Sequence, residues 1–195
     1  MRLRNELENN KMKLRLEPIT EGFADEEALK RINDEAFPEI ERIPSDFLLE
    51  WLIKYNTESW AMYIGEEMVG FAVFFACKMV NMTYMWYFAI KDSHRGKGLG
   101  TEALTAFQAK YANSHLVLDM EELDCPDAPN AEQRRKRVAF YERNGMRRAM
   151  IGITYFGMYL ELMNNNGELR LDDFKYLLTT IKAEGFEPRL YPLQV

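Results

Sequence analysis

Residues 86–90 read Trp-Tyr-Phe-Ala-Ile and residues 95–100 read Arg-Gly-Lys-Gly-Leu-Gly, and this stretch decides the fold. The first segment is apolar throughout, which is typical of a buried β-strand. The second places alternating glycines directly before a helical pattern that begins at Leu99. Glycines at such a junction leave backbone N–H groups uncovered, so that they point into one concavity. The turn therefore predicts a phosphate or pyrophosphate site, assisted by Arg95, Lys97 and the helix dipole.

Two well-known phosphate-binding patterns do not fit this turn. The string G-x-x-x-x-G-K-[ST] is absent, which excludes a P-loop, and the glycine spacing G-x-G-x-G differs from the dinucleotide-binding fingerprint. The alternative interpretation is a glycine-rich turn that only connects a strand to a helix.

Hydrophobic periodicity predicts further elements on both sides of the turn. The predicted strands cover residues 13–17, 59–64, 68–78, 83–91, 115–120 and two segments within 147–163, and the predicted helices cover residues 25–37, 45–55, 99–111, 131–143 and 171–183. In chain order this gives β, α, α, β, β, β, α, β, α, β, β, α. Such an order favours an α/β or α+β protein with a mixed sheet.

The composition limits the class of partner. The formal net charge of −6 argues against coating a nucleic acid and suits a cationic partner such as an amine. No apolar run approaches the ~20 residues that a membrane span needs. Residues 1–10 lack the apolar core of a signal peptide. We therefore expect a cytoplasmic protein with neither membrane nor nucleic-acid partners.

The cysteines and histidines predict neither a disulfide framework nor a metal site. Cys77 and Cys125 are the only cysteines among the 195 residues, and we expect both to be reduced thiols. His94 and His115 show no metal-ligand spacing with them, so no metal site is expected.

The length favours one large domain. Residues 1–11 are predicted to be a flexible N-terminal arm, with Met12 as an alternative start, and residues 12–195 to form a single domain. The last predicted helix, at about 171–183, would be a C-terminal extension that covers the sheet, covers a cleft or makes a dimer contact.

Two later segments strengthen the phosphate-site interpretation. Residues 118–121 read Leu-Asp-Met-Glu on a predicted strand. Residues 137–146 read Arg-Val-Ala-Phe-Tyr-Glu-Arg-Asn-Gly-Met, where a predicted helix ends and a strand begins.

These segments, together with the glycine turn, resemble the GNAT superfamily of acetyl-CoA-dependent N-acetyltransferases. Arg95, Gly98 and Gly100 match the pyrophosphate motif Q/R-x-x-G-x-G/A of that family. The later segment matches its pattern Phe-Tyr-x-x-x-Gly-Phe, with Met146 in place of the last aromatic residue. The similarity in element order extends from about residue 13 to about residue 162.

The resemblance implies both a fold and a cofactor. The fold would be a mixed, mostly antiparallel central sheet with a splayed pair of strands, flanked by helices. The cofactor would be acetyl-CoA, with its pantetheine arm on the main chain of Phe88, Ala89 and Ile90. Its pyrophosphate would lie on the amides of Arg95, Gly96, Lys97, Gly98, Leu99, Gly100 and Thr101.

The resemblance also implies that Tyr141 faces the cofactor sulfur and assists departure of the thiolate. A free tyrosine has a pKa of ~10 and a thiol a pKa of ~8.5, so hydrogen-bond donation is favoured over full proton transfer. Arg137 lies one helical turn earlier, where it would lower the pKa of Tyr141. An alternative is that Tyr141 only packs the helix.

An amine must be neutral before it attacks, which calls for a base or a water chain. Asp119 and Glu121 lie on one face of their predicted strand, since side chains alternate along a strand. Glu121 is the first candidate for the base or the amine anchor, and Asp119 is the second. The alternative is a solvated acidic edge.

The acceptor side is predicted from the loop between the first two helices, which borders the acceptor cleft in the family. Glu39, Glu41 and Arg42 are the candidates there, and Tyr84 and Trp86 are candidates on a strand. The alternatives are solvated loop residues and aromatic residues that pack on the sheet.

The sequence therefore predicts an N-acetyltransferase that moves an acetyl group to a primary amine of a small molecule, peptide or protein, by direct attack in a ternary complex. The alternative is a non-catalytic acyl-CoA-binding sensor or interaction module on the same fold. A monomer or homodimer is expected, and the acceptor and the acyl length stay open.

Overall fold

The computed structural model describes residues 13–55, 57–123, 130–165 and 167–193. The predicted arm of residues 1–11, Met12 and Cys125 lie outside these ranges. The described residues form two compact units. Unit 1 comprises residues 13–74 and 87–107, and unit 2 comprises residues 75–86 and 108–193. The single domain expected over residues 12–195 stays a prediction.

Within the described ranges the chain forms five α-helices and eight strands. The helices are α1 (Glu26–Ala36), α2 (Leu48–Lys54), α3 (Leu99–Lys110), α4 (Ala131–Arg143) and α5 (Leu171–Thr180). The strands are β1 (Leu14–Pro18), β2 (Glu58–Ile64), β3 (Glu67–Cys77), β4 (Met82–Ile90), β5 (His115–Glu121), β6 (Arg147–Tyr155), β7 (Met158–Asn164) and β8 (Arg189–Pro192).

The strands form one sheet in the order β1-β2-β3-β4-β5-β7-β6-β8. The pairs β1–β2, β2–β3, β5–β7, β6–β7 and β6–β8 are antiparallel, and β4 runs parallel to β5. The ladder between β4 and β5 extends only from Met82↔His115 to Met85↔Leu118, although both strands continue. The predicted mixed, mostly antiparallel sheet with a splayed pair of strands is confirmed.

Aromatic side chains fill the core of unit 1. The ring centroid of Tyr87 on β4 lies 4.8 Å from that of Phe37 and 6.4 Å from that of Phe71. Phe74 on β3 packs on Phe107 of α3 at a centroid distance of 4.8 Å. Such pairs contribute ~1 kcal/mol each beyond the area that they bury. These contacts hold α3, and Phe37 at the end of α1, against the strands of unit 1.

The sequence did not predict β8, and α5 ends at Thr180 rather than at residue 183. A strand of four residues is too short to show a hydrophobic period. What fixes β8 is a tertiary contact, because the ring of Tyr191 lies directly over Gly152 on β6. A Cβ added at Gly152 would come within 2.3 Å of that ring. The Tyr191 hydroxyl also donates a hydrogen bond to the carboxylate of Glu122.

Gly70 allows a similarly close approach in unit 1. A Cβ added there would lie 2.3 Å from the backbone oxygen of Ala89 on β4. Because the obstacle is backbone, no side-chain rotation can relieve the overlap. Gly70 therefore determines how closely β3 and β4 approach at Ala89, one of the residues predicted to present its main chain to a cofactor.

We expect Gly70→Ala to lower the free energy of unfolding by about 1–3 kcal/mol, the usual effect of overpacking. Chemical denaturation followed by circular dichroism measures this change. Gly22→Ala is the control, because Gly22 has a φ of +74° but a Cβ there meets nothing within 4 Å. Its loss would be ~1 kcal/mol from backbone strain alone. A smaller loss at Gly70 than at Gly22 would contradict the close-approach argument.

Candidate active site

The glycine turn lies in unit 1 at the start of α3. Gly96 and Gly98 have φ values of +74° and +83°, a region that non-glycine residues rarely adopt. A Cβ added at either position would meet nothing within 4 Å, so both positions face open space. The Gly98 carbonyl accepts the backbone N–H of Glu102 at 3.1 Å. The amides of the first turn of α3 have no acceptor within the helix, which makes the turn suitable for an anion.

Arg95 is tied to the preceding strand. Its Nε donates to the backbone oxygen of Ile90 at 3.0 Å, and its Nη1 lies 2.8 Å from a carboxylate oxygen of Asp92. The predicted phosphate ligand therefore also connects the end of β4 to the turn. Lys97 is exposed beside the glycines and adds positive charge.

The predicted pantetheine-binding residues lie on β4 beyond the last pair that this strand makes with β5. Phe88 packs edge-on to Phe107 at a centroid distance of 6.4 Å. Ala89 and Ile90 are buried. Because these side chains are committed to the core of unit 1, a ligand would meet the strand through its backbone groups.

In unit 2, the carboxylate of Asp119 accepts hydrogen bonds from two tyrosines. The Tyr155 hydroxyl donates to it at 2.6 Å, and the Tyr84 hydroxyl donates to the same oxygen. Burial, and next the charge of Asp119, raise the pKa of Tyr84 well above its ordinary value. Tyr84 therefore stays protonated and acts as a donor. Asp119 itself is only partly buried.

Glu121 has a different set of partners, although it shares a strand face with Asp119. Its Oε1 accepts a hydrogen bond from Asn130 at 2.6 Å, and its Oε2 forms an ion pair with Arg137. Arg134 lies 3.8 Å from Oε1 and donates 2.7 Å to the backbone oxygen of residue 122. Glu121 thus binds the N-terminal half of α4 through an ion pair and a hydrogen bond.

Tyr141 on α4 is buried, and burial raises its pKa to about 12. The charge of Arg137 lowers the pKa of Tyr141 as the sequence suggested, but this effect is smaller than that of burial. The charge of Asp119 raises the pKa of Tyr141 further. Tyr141 is therefore a neutral hydrogen-bond donor at any physiological pH.

The predicted acceptor residues of unit 1 organise their loop. Arg42 donates to the backbone oxygens of Asp34 and Phe37 at 3.1 and 3.3 Å, and its Nε lies 3.3 Å from the Asp34 carboxylate. The Glu41 backbone oxygen accepts the hydroxyl of Tyr87 at 2.9 Å. Glu39 is exposed. Arg42 therefore holds this loop in place, and contact of the three residues with an acceptor stays a prediction.

The two aromatic acceptor candidates lie in unit 2. Tyr84 has 0% exposed surface, so its ring cannot contact an acceptor, and its hydroxyl donates to Asp119. Trp86 is 9% exposed and packs on Phe75, Tyr155 and Phe186. The sequence did not predict the hydrogen bond from Asn130 to Glu121 or the packing of Phe186 on Trp86 and Tyr155. Neither Asn130 nor Phe186 carries a local signal, because each reaches its partner only through the fold.

Among the described residues, no group of three or more His, Cys, Asp or Glu side chains is placed to hold a metal ion. None of the helices in those ranges is long and apolar enough to cross a membrane. Cys77 is a buried free thiol.

Comparison with known proteins identifies the family. The model of the GNAT acetyltransferase family matches residues 26–146, more than half of the chain. This chain belongs to the GNAT acetyltransferase family. No curated protein sequence matches it significantly.

Several solved structures share the fold. An acetyltransferase from Thermus thermophilus is 20% identical with a TM-score of 0.59, over 80% of this chain and 97% of that one. The ribosomal-protein-S18-alanine N-acetyltransferase of Escherichia coli is 16% identical with a TM-score of 0.59, over 80% and 96%. An acetyltransferase of Bacillus subtilis, in complex with CoA, is 17% identical with a TM-score of 0.56, over 79% and 99%.

Proposed function

We propose that this protein is an N-acetyltransferase that moves an acetyl group from acetyl-CoA to a primary amine. The observation that carries the proposal is the glycine turn of a GNAT family member, with two positive-φ glycines that face open space at a helix N-terminus. The similar Bacillus subtilis acetyltransferase was solved in complex with CoA, which supports the choice of ligand.

The turn would bind the pyrophosphate of acetyl-CoA. The amides of residues 96–101 would donate to its oxygens, and Lys97 would add positive charge. A side chain at position 96 or 98 would occupy the space that the pyrophosphate needs. The backbone groups of residues 88–90 would bind the pantetheine amides, since their side chains are buried or packed in unit 1.

Acetyl-CoA supplies a thioester whose carbonyl carbon an amine can attack. Asp119 is our candidate for attracting the acceptor ammonium and for taking up its proton. It is partly exposed and is held in place by the hydroxyls of Tyr84 and Tyr155. Glu121 is less suited to this role, because Arg137 and Asn130 already occupy its oxygens. We propose Glu121 as a positioning residue that fixes the start of α4.

Tyr141 would stabilise the departing thiolate by donating a hydrogen bond. With a pKa of about 12, it lies ~3.5 pKa units above a free thiol, so full proton transfer would be uphill by ~5 kcal/mol. A hydrogen bond to developing negative charge needs no such transfer and is strong in a buried site.

The second candidate function is an acyl-CoA-binding sensor without turnover. The buried donor Tyr141 and the Asp119 cluster favour the enzyme, because binding alone needs neither. Release of coenzyme A in the presence of an amine separates the two functions.

The cofactor site is tested with Gly98→Glu, Gly98→Ala and the control Gly22→Ala. Both alanine variants place a Cβ at a positive φ, with +83° at Gly98 and +74° at Gly22, so each should lose ~1 kcal/mol of stability. Only the two Gly98 variants should lose acetyl-CoA affinity, by roughly tenfold for alanine and beyond detection for glutamate. Isothermal titration calorimetry measures this. Equal affinity in all variants would exclude the glycine turn as the binding site.

The variants Asp119→Asn and Glu121→Gln distinguish the roles of the two carboxylates. We expect Asp119→Asn to lower kcat/KM for the amine by roughly 10²–10⁴-fold, the range of a lost acid–base group. Both variants weaken charge-assisted hydrogen bonds, so each should lower the free energy of unfolding by about 1–3 kcal/mol, but Glu121→Gln should leave kcat/KM of the folded enzyme within roughly tenfold of wild type. Steady-state kinetics and denaturation on both variants decide this. The reverse pattern would make Glu121 the base.

Tyr141→Phe should lower kcat by roughly 10²-fold while KM for acetyl-CoA changes little, because one donor to a developing charge is removed. The donor form of Tyr141 is lost only as the pH rises through about 12. Its contribution to kcat should therefore be constant from pH 6 to pH 10. The exposed Tyr176→Phe serves as the control. The raised pKa would be contradicted if the wild-type kcat decreased as the pH rises from 6 to 10 and the kcat of Tyr141→Phe did not.

A further inference from the structure

Part of unit 2 lies beyond residue 146, the last residue that the family model matches. It includes α5, β8 and the residues 181–188 that connect them. Phe174 on α5 packs edge-on to Tyr84 at a centroid distance of 5.3 Å. At the other end, Tyr191 on β8 lies over Gly152. The connecting segment is therefore anchored on both sides.

This segment presents one aromatic side chain, Phe186, to the neighbourhood of Asp119. Gly185 has a φ of +73°, and the N–H of Phe186 donates to the backbone oxygen of Ala183 at 3.1 Å. The ring of Phe186 lies 5.1 Å from Tyr155 and 5.2 Å from Trp86, measured between centroids. Tyr155 in turn donates its hydroxyl to Asp119. Phe186 is thus separated from the candidate amine anchor by a single side chain.

Phe186 differs in exposure from the rings that it covers. Tyr155 and Trp86 are 4% and 9% exposed, whereas Phe186 is only half-buried. Removing its side chain would uncover parts of the Tyr155 and Trp86 rings, and the hydroxyl of Tyr155 is bonded to the Asp119 carboxylate. A carboxylate attracts an ammonium group, and aromatic rings near it favour an apolar body attached to that group. A polyhydroxylated body would lose hydrogen bonds to water there, with few partners to replace them.

We propose that Phe186 is a specificity-determining residue for the acceptor, and that the acceptor is a primary amine carried on an apolar body whose size Phe186 limits. This inference rests on the proposed acetyltransferase function. Under that function, Asp119 binds the ammonium group, and the half-buried ring of Phe186, which covers Trp86 and Tyr155, contacts the body of the acceptor. Phe186 acts by occupying space and takes no part in proton transfer.

The test compares wild type with Phe186→Ala, Phe186→Leu and the control Tyr176→Ala, which removes an exposed aromatic side chain from α5 of the same unit. Three amines serve as acceptors: propylamine, phenethylamine and glucosamine. Coenzyme A release gives kcat/KM for each amine, and calorimetry in the presence of coenzyme A gives its affinity. Circular dichroism reports whether each variant folds. If Phe186→Ala is unstable, Phe186→Leu provides the same comparison with a smaller loss of volume.

We expect Phe186→Ala to raise kcat/KM for phenethylamine relative to propylamine at least tenfold, with a smaller rise in Phe186→Leu. Tyr176→Ala should match wild type, KM for acetyl-CoA should not change, and glucosamine should gain nothing. The inference would be overturned if the ratio of kcat/KM for phenethylamine to kcat/KM for propylamine were unchanged in both Phe186 variants. An equal increase in kcat/KM for glucosamine would also overturn it.

Failure of the proposed function has a separate signature. If wild type releases no coenzyme A with any amine, the enzyme proposal fails, and calorimetry alone then decides the role of Phe186. A selective gain in phenethylamine affinity in Phe186→Ala would support that role. Absence of amine binding in every variant would overturn it.

Discussion

The feature on which the site depends is the short ladder between β4 and β5. These parallel neighbours exchange hydrogen bonds only from Met82 to Met85 and from His115 to Leu118, although both strands are longer. Each strand therefore keeps backbone groups that its neighbour on that side does not use. Because unsatisfied backbone groups are costly when buried, such an interruption is stable only where water or a ligand can replace the missing partner. The candidate cofactor residues 88–90 of unit 1 follow the last ladder pair along β4, and Asp119 and Glu121 of unit 2 follow it along β5.

The two carboxylates show how one strand face can serve two purposes. Asp119 is held by neutral hydroxyl donors and keeps some exposure, whereas Glu121 is surrounded by Arg137, Arg134 and Asn130. Removing the charge of an ion-paired carboxylate leaves its arginine partners uncompensated. The surroundings, rather than the residue type, therefore distinguish these two carboxylates.

Much of the fold could be predicted because its signals are local. The run of apolar residues at 86–90, the glycines at 96 and 98, and the Asn144-Gly145 end of α4 each encode their element within a few neighbours. What could not be predicted depends on contacts between distant residues. β8 exists because Tyr191 fits over Gly152, and nothing in either neighbourhood indicates the other.

The candidate site divides in the same way. The glycine turn is visible in the sequence, because positive φ values require glycine at Gly96 and Gly98. The different partners of Glu121 and Asp119 could not be predicted, since alternation places both on one face and says nothing of what packs against them. The effect of Arg137 on the pKa of Tyr141 could be predicted from their helical spacing, but the larger effect of burial could not, because it comes from the whole of the surrounding packing.

The division of the chain into two units has a consequence for folding. Neither unit is contiguous, since β3 and β4 each supply residues to both. No single cut of the polypeptide would release one unit intact, so the protein cannot be dissected into independently folding fragments. Contacts that join residues so far apart in sequence also slow folding, because loop-closure entropy must be lost before they form. The β3–β4 hairpin therefore supplies chain to both units, and a truncation that removes it would take residues from each.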